Sequence, residues 1–158
     1  MNRKSTTTVG ILSDSHGLLR PEVEAALAGC DHILHAGDVG THEVLEKLGQ
    51  IAPVTAVRGN MDYGSWSNAL PVYDMLDIGG VFFYLLHDLN HLGLDPAAAG
   101  IHVVVSGHTH RSHLYEKGGS IYLNPGSAGH RRGSAPVSVA MVEIHGGQAL
   151  PHIIEIDC

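Results

Sequence analysis

Apolar and polar positions along the chain fall into two regimes. Up to about residue 57, short apolar runs alternate with stretches of helical spacing. TVGILS (8–13), DHILHA (31–36) and the segment 53–57 read as strands. Between them, 21–28 reads as a helix, with Pro21 suited to its first position and Glu22 and Glu24 in its first turn. Thr41 is placed to cap a second helix running to about residue 48, with Glu43 and Glu46 near its start. Such alternation is the mark of βαβ units around a largely parallel sheet.

After Pro71 the pattern changes. VYDMLDI (72–78) and VFFYLLH (81–87) flank Gly79-Gly80, a turn signal for an antiparallel hairpin. Residues 94–100 predict a short Ala-rich helix leading into the buried strand IHVVVSG (101–107). HLYEK-GG-SIYLN and PVSVAMVEI-GG-ALPHIIEI then repeat the hairpin pattern to the C-terminus. With no repeat, linker or low-complexity stretch, the chain reads as one α/β domain over 1–158. Its parallel first half is extended by antiparallel strands, as two sheets packed face to face between helices.

Composition narrows the function classes. A chain of 158 residues can bury about two thirds of its unfolded surface, so neither metal nor disulfide is needed merely to fold. Hydrophobic residues at 44% and charged ones at 16% suit a compact body. The net charge of −7 leaves no basic footprint for duplex nucleic acid, so an anionic substrate would need a local source of positive charge. MNRKSTTT is polar and basic, and the apolar run 9–12 after it is too short for a signal segment or a membrane span. The expectation is a cytoplasmic protein without membrane contact. Cys30 and Cys158 have no metal-ligand spacing and read as packing or surface residues.

Histidine is over-represented, at 13 residues, and its placement carries the chemistry. Open α/β sheets bind ligands beyond the carboxyl ends of their strands. Here ILS ends in Asp14-Ser15-His16, ILHA in Gly37-Asp38, TAVR in Gly59-Asn60, FFYLL in His87, and HVVVS in Gly107-His108-Thr109-His110. Residues two apart in an extended segment point the same way, which would let Asp14 and His16 converge, and likewise His108 and His110. Glycines before Asp38, Asn60 and His108 allow sharp turns into a crevice. Taken singly, Gly-Asp and Gly-Asn are turn pairs. Five ligand-bearing ends at equivalent topological positions predict a metal centre. Oxygen and nitrogen donors without thiolate suit Mn²⁺, Fe or Zn²⁺ better than Ca²⁺ or Mg²⁺.

The ordered pattern D-x-H, G-D, G-N, H, G-H-x-H resembles that of the calcineurin-like metallophosphoesterases, in particular their small bacterial and archaeal phosphodiesterases. The likeness runs from Val9 to the NPGS stretch at 124–127. It implies a four-layer α/β/β/α sandwich of two mixed sheets flanked by helices. It also implies two divalent metals, with Mn²⁺ the first expectation and Ni²⁺, Fe²⁺, Zn²⁺ or Co²⁺ as alternatives. One metal would be held by Asp14, His16, Asp38 and His110, the other by Asp38, Asn60, His87 and His108. Asp38 would bridge them, as a carboxylate can between cations about 3.5–4 Å apart. The implied reaction is hydrolysis of a small phosphoester, a phosphodiester first, by a hydroxide held between the metals. Asp38, Asn60 and His108 would serve catalysis, and Asn60, Arg131 and Arg132 the substrate.

The sequence departs from the family pattern in places. Where many relatives have a histidine after GN, as an acid for the leaving group, this chain has Met61, which can donate no proton. His35, His42 and His130 are candidate substitutes. Asp88 follows His87 where relatives usually have glycine, and could accept a hydrogen bond from an imidazole or face solvent, the latter being expected. Arg131 and Arg132 could contact phosphate or be exposed charges. Relatives are often dimers or tetramers, so the resemblance makes a homo-oligomer a candidate assembly. The alternative function is that of the retromer subunit resembling this family, a protein-binding scaffold on the same fold without catalysis.

Overall fold

Residues 6–158 are described by a computed structural model; the basic segment at 1–5 lies outside them. Ten strands form two five-stranded sheets. The first sheet contains β1 (Thr6–Leu12), β2 (His32–His35), β3 (Val54–Ala56), β9 (Val137–His145) and β10 (Gln148–Ile156), in the order β10-β9-β1-β2-β3. The second contains β4 (Tyr73–Ile78), β5 (Val81–Leu86), β6 (Val103–Val105), β7 (His113–Lys117) and β8 (Ser120–Asn124), in the order β4-β5-β6-β8-β7.

β1, β2 and β3 run parallel, as the βαβ alternation predicts. Each sheet is mixed. β1 also pairs antiparallel with β9, so the C-terminal hairpin completes the sheet begun by the first strand. The second sheet differs from the antiparallel expectation, because β5, β6 and β8 are parallel and only its edge strands β4 and β7 are antiparallel. The apolar pattern marks buried strands but not which neighbour each will pair with. The Gly-Gly turns joining β4-β5, β7-β8 and β9-β10 are as predicted. Both φ angles are positive in each pair (60° and 87°, 61° and 90°, 55° and 81°), the backbone that a two-residue hairpin turn requires.

The main core lies between the sheets. Val9, Ile11, Leu34 and Ala36 of the first sheet meet Phe83, Leu85, Val103, Val105 and Leu123 of the second, all fully buried. Helices α1 (Pro21–Leu27) and α2 (His42–Gly49) cover the outer face of the first sheet, burying Val23 with Leu27 and Val44 with Leu48 at one-turn spacing. Thr41 stands at the α2 N-cap with extended backbone, but its side chain makes no capping hydrogen bond. Val44 N–H donates to the Thr41 carbonyl instead (3.3 Å).

The outer layer over the second sheet is thinner than the sandwich expectation. Tyr84, Leu86, Ile101, Val104 and Tyr122 are covered by a single 3-10 turn, Leu89–His91, and by a loop carrying Leu92 and Leu94. The helix expected over 94–100 is an isolated turn, closed by Ala99 N–H to Asp95 O (3.0 Å) and Ile101 N–H to Pro96 O (2.8 Å). Seven residues with Pro96 near one end and Gly100 at the other offer too few bonds to offset helix nucleation. Phe83 is the largest fully buried side chain of the inter-sheet core. Phe83→Ala should therefore lower stability by about 3–5 kcal/mol, read from the denaturant midpoint at unchanged m-value.

Candidate metal centre

The carboxyl ends of β1, β2 and β3 in one sheet and of β5 and β6 in the other lie side by side. They bring together all seven side chains singled out by the strand-end pattern. His16 Nε2 is 3.8 Å from Asp14 Oδ1 and 3.3 Å from His110 Nε2, and His110 Nε2 is 3.4 Å from Asp14 Oδ1. On the other flank, His87 Nε2 lies 2.8 Å from Asn60 Oδ1, and His108 Nδ1 lies 3.2 Å from that same oxygen. Asp38 Oδ2 spans the two halves, 3.7 Å from His16 Nε2 and 3.3 Å from His87 Nε2. Asp14, Asp38, His87 and His110 are buried at the floor, whereas Asn60 and His108 are exposed at the mouth.

Strand alternation is not what makes these side chains converge. Asp14, His16, Asp38, His108 and His110 have φ of 56°, 47°, 54°, 73° and 63°, and they are the only non-glycine residues with positive φ among the described residues. Each left-handed residue costs about 1–3 kcal/mol and persists only where its surroundings over-determine it. Concentration of all five here marks a functional site. Gly59 and Gly107 answer a different need from the turning expected of them, since a Cβ on Gly59 would run into the Asp38 carboxylate and one on Gly107 into the Ser13 hydroxyl.

Hydrogen bonds beneath the cluster supply the over-determination. Asp14 N–H donates to Gly37 O and His16 N–H to Asp38 O, both at 3.0 Å, binding the first two loops together. Asp62, 6% exposed, accepts from Gly59 N–H (2.8 Å) and Gly40 N–H (2.9 Å) and shapes the loop that carries Asn60. Buried Asn124 donates to Gly107 O (2.9 Å) and Thr109 Oγ1 (3.2 Å), so the NPGS stretch braces the two-histidine loop. These braces were missed by the strand-end pattern. Asp62 carried a signal, as a carboxylate two residues beyond Asn60.

His35 is also a brace. It is fully buried, and its Nδ1 accepts from Gly37 N–H (3.1 Å), which puts the proton on Nε2 to donate to Ser15 Oγ (2.8 Å). Ser15 Oγ donates in turn to Val39 O (2.9 Å). Burial, aided by the nearby His87 and opposed by Asp38, holds the His35 pKa down to about 3. A histidine so engaged has no proton to offer a leaving group. His42 is exposed and paired with Glu46 (3.4 Å), and His130 is exposed.

Met61 contributes through its backbone, donating to Asp38 Oδ1 (2.8 Å), while its side chain is exposed. Asp88 is not simply in solvent: at 21% side-chain exposure its Oδ1 accepts from Asn90 N–H (3.0 Å) and its Oδ2 lies 3.8 Å from His108 Nε2. Arg131 donates to Cys158 O (3.2 Å). Arg132 is exposed; burial lowers the His110 pKa first, Asp14 opposes that shift, and the Arg132 charge adds to it.

The donor set fits cations. Each carboxylate commits one oxygen to the protein and turns the other inward. Asp14 Oδ2 accepts from Ser13 Oγ (2.7 Å) and His108 N–H (3.0 Å), while buried Asp14 Oδ1 has no hydrogen-bond partner. His87 Nδ1 donates to Ala36 O (2.8 Å), which leaves the lone pair of Nε2 facing Asn60 Oδ1. Without a cation this cluster leans on protons. Burial disfavours charge on both His87 and Asp38, yet their mutual interaction raises the first pKa and lowers the second. Atoms able to ligate a metal lie within 4.8 Å of one another in Asp14/His16/His110 and in Asp14/Asp38/His87.

Comparison with known proteins agrees with this geometry. The model of the calcineurin-like phosphoesterase superfamily domain matches residues 8–147. The chain belongs to this family. The family is one of metal-dependent phosphoesterases. A probable metallophosphoesterase of Methanothermobacter thermautotrophicus is 34% identical, over 92% of this chain and 91% of that protein. Another, of Methanocaldococcus jannaschii, is 34% identical over 77% of this chain and 68% of that protein. The solved structure of vacuolar protein sorting 29 from Cryptosporidium parvum shares the fold, with a TM-score of 0.78 at 23% identity over 98% of this chain and 100% of that one. No helix among the described residues is long and apolar enough to cross a membrane.

The state of His35 makes a pH prediction. Its folded pKa lies below the ordinary 6.5, so the unfolded chain takes up a proton that the folded chain refuses. Its contribution is therefore complete above about pH 6.5 and is lost progressively as pH falls towards 3. In metal-free protein the urea midpoint should fall between about pH 7 and about pH 5, and less steeply in His35→Gln.

Proposed function

We propose that this chain is a single-domain, metal-dependent phosphodiesterase. The observation that carries the reading is the convergence of two inward carboxylate oxygens, four imidazoles and one amide oxygen, with acceptor atoms facing one another where hydrogen bonding alone leaves Asp14 Oδ1 unpartnered. Two divalent ions are proposed, one held by Asp14, His16, Asp38 and His110, the other by Asp38, Asn60, His87 and His108. Mn²⁺ is the first choice for this thiolate-free set. Bound there, two such ions outweigh the two carboxylates, giving an acidic protein the charge to bind a phosphate ester and lowering the pKa of a water towards neutrality.

The remaining work falls to the chain. Asp38 offers Oδ2 to both halves while Met61 N–H holds its other oxygen. Asn60 and His108, exposed at the mouth, meet the incoming phosphate, with Arg132 on the His110 flank. Arg131, expected as a second phosphate contact, is engaged with the C-terminal residue. The exposed Met61 thioether adds no acid, so substrates with acidic leaving groups are favoured by about the 10²–10⁴-fold that general acid catalysis supplies. The fold likeness to vacuolar protein sorting 29 favours a second reading, an inactive scaffold. The complete donor set counts against it.

Two results test the reading. Purified protein should carry two metals and hydrolyse bis-p-nitrophenyl phosphate with Mn²⁺, and Asp38→Asn should lose both properties, beyond the about 10–100-fold typical of losing a supporting hydrogen bond. A metal-free protein without turnover under Mn²⁺, Ni²⁺, Zn²⁺ or Co²⁺ would return the scaffold. Met61→His should raise kcat selectively for diesters with poor leaving groups; equal effects on good and poor leaving groups would mean that the missing acid is not limiting.

A further inference from the structure

One cavity opens directly off the second half of the cluster. Asn60 and His87 belong to its lining, and its volume is about 210 Å³. That is below the about 300–1,000 Å³ of pockets enclosing a drug-sized molecule, and above the about 150 Å³ that suffices for benzene. It suits one substituted ring.

The lining specifies the ring further. Val72 and Leu86 supply aliphatic surface, and Tyr73 and Tyr84 stack with planes 3° apart and centroids 5.5 Å apart. Tyr73 is 57% exposed and Tyr84 buried, so the aromatic wall runs from the surface into the cavity. Arg58, Asp88 and His91 add polar groups to the lining, and His91 Nε2 lies 3.9 Å from Asp88 Oδ2. The Arg58 guanidinium forms no ion pair with any described residue, whereas Asp88 Oδ1 is already engaged by Asn90 N–H. A cation without a partner beside a flat apolar wall matches a planar aromatic group bearing a hydrogen-bond acceptor.

We infer that this cavity binds the organic substituent of the phosphoester, a single planar aromatic ring packed along Tyr73 and Tyr84 with an acceptor turned to Arg58. The inference rests on the phosphoesterase reading, because contact with Asn60 and His87 is what makes the cavity continuous with a phosphate site. It makes Tyr73 and Arg58 specificity-determining residues. Both an aryl ester and a nucleoside ester present this chemistry.

Affinities of non-hydrolysable phosphonates for the two-metal full-length protein, read by calorimetry, test it and separate the sources. Phenylphosphonate stands for an aryl ester, thymidine 5′-methylenephosphonate for a nucleoside ester, and methylphosphonate lacks a ring. At least one ring-bearing compound should bind about tenfold more tightly than methylphosphonate, in line with stacking of a ring on an aromatic side chain. Tyr73→Ala or Arg58→Gln should bring that ratio towards one; Tyr73 lies largely exposed on an edge strand, so its truncation spares the core. A ratio near one in the unaltered protein, or a ratio that neither substitution changes, overturns the cavity assignment and leaves the phosphoesterase reading standing. Failure of all three phosphonates to bind overturns the phosphoesterase reading itself.

Discussion

Two buried carboxylates, each with one oxygen turned towards the nitrogens of surrounding imidazoles, are the constraint around which this molecule is organised. Buried Asp14 and Asp38 carry charge away from water, which is costly unless cations or donors meet them. The backbone supplies donors to one oxygen of each and leaves the other to the cluster. In metal-free protein His87 and Asp38 draw their titrations apart to compensate. A divalent ion would satisfy the same groups at once.

Holding that arrangement demands backbone that L-residues avoid, and the fold is built to enforce it. Five left-handed residues sit in loops pinned by His35, Asp62 and Asn124, which bond main-chain groups of Gly37, Gly40, Gly59 and Gly107 and the side chains of Ser15 and Thr109. Those loops leave parallel strands whose opposite faces are buried, so the strain is resisted by a core on each side of the first sheet. The same reasoning explains why glycine occupies 59 and 107, where a side chain would enter the space of the Asp38 and Ser13 groups it adjoins. Shared fold is therefore compatible with different uses. A relative that kept both cores and lost the donors would keep the sandwich.

Asymmetry between the two outer faces shapes what lies next to the cluster. The first sheet is covered by two amphipathic helices, the second by a 3-10 turn and loops. A thinner cover leaves Tyr73 and the rim of the cavity open beside Asn60 and His87. Thus the part of the molecule furthest from helical regularity is also the part where a substrate's organic portion has room.

Hydrophobic periodicity, turn chemistry and the ligand-bearing strand ends were legible in the chain itself. They are local properties: apolar runs mark buried strands, paired glycines accept the positive φ of tight turns, and Asp, Asn and His after each run announce their chemistry. What needed three dimensions was everything set by partners distant in sequence. Parallel pairing of β5, β6 and β8, closure of the first sheet by β9 and the missing helix at 94–100 depend on which surfaces meet. Convergence of the seven site residues was legible, but its means, left-handed backbone in place of strand alternation, was not. Likewise the bracing roles of His35 and Asp62 emerge only where Gly37, Gly40 and Gly59 present their N–H groups to them. Sequence determines which groups are available; only packing decides which donor each acceptor finds.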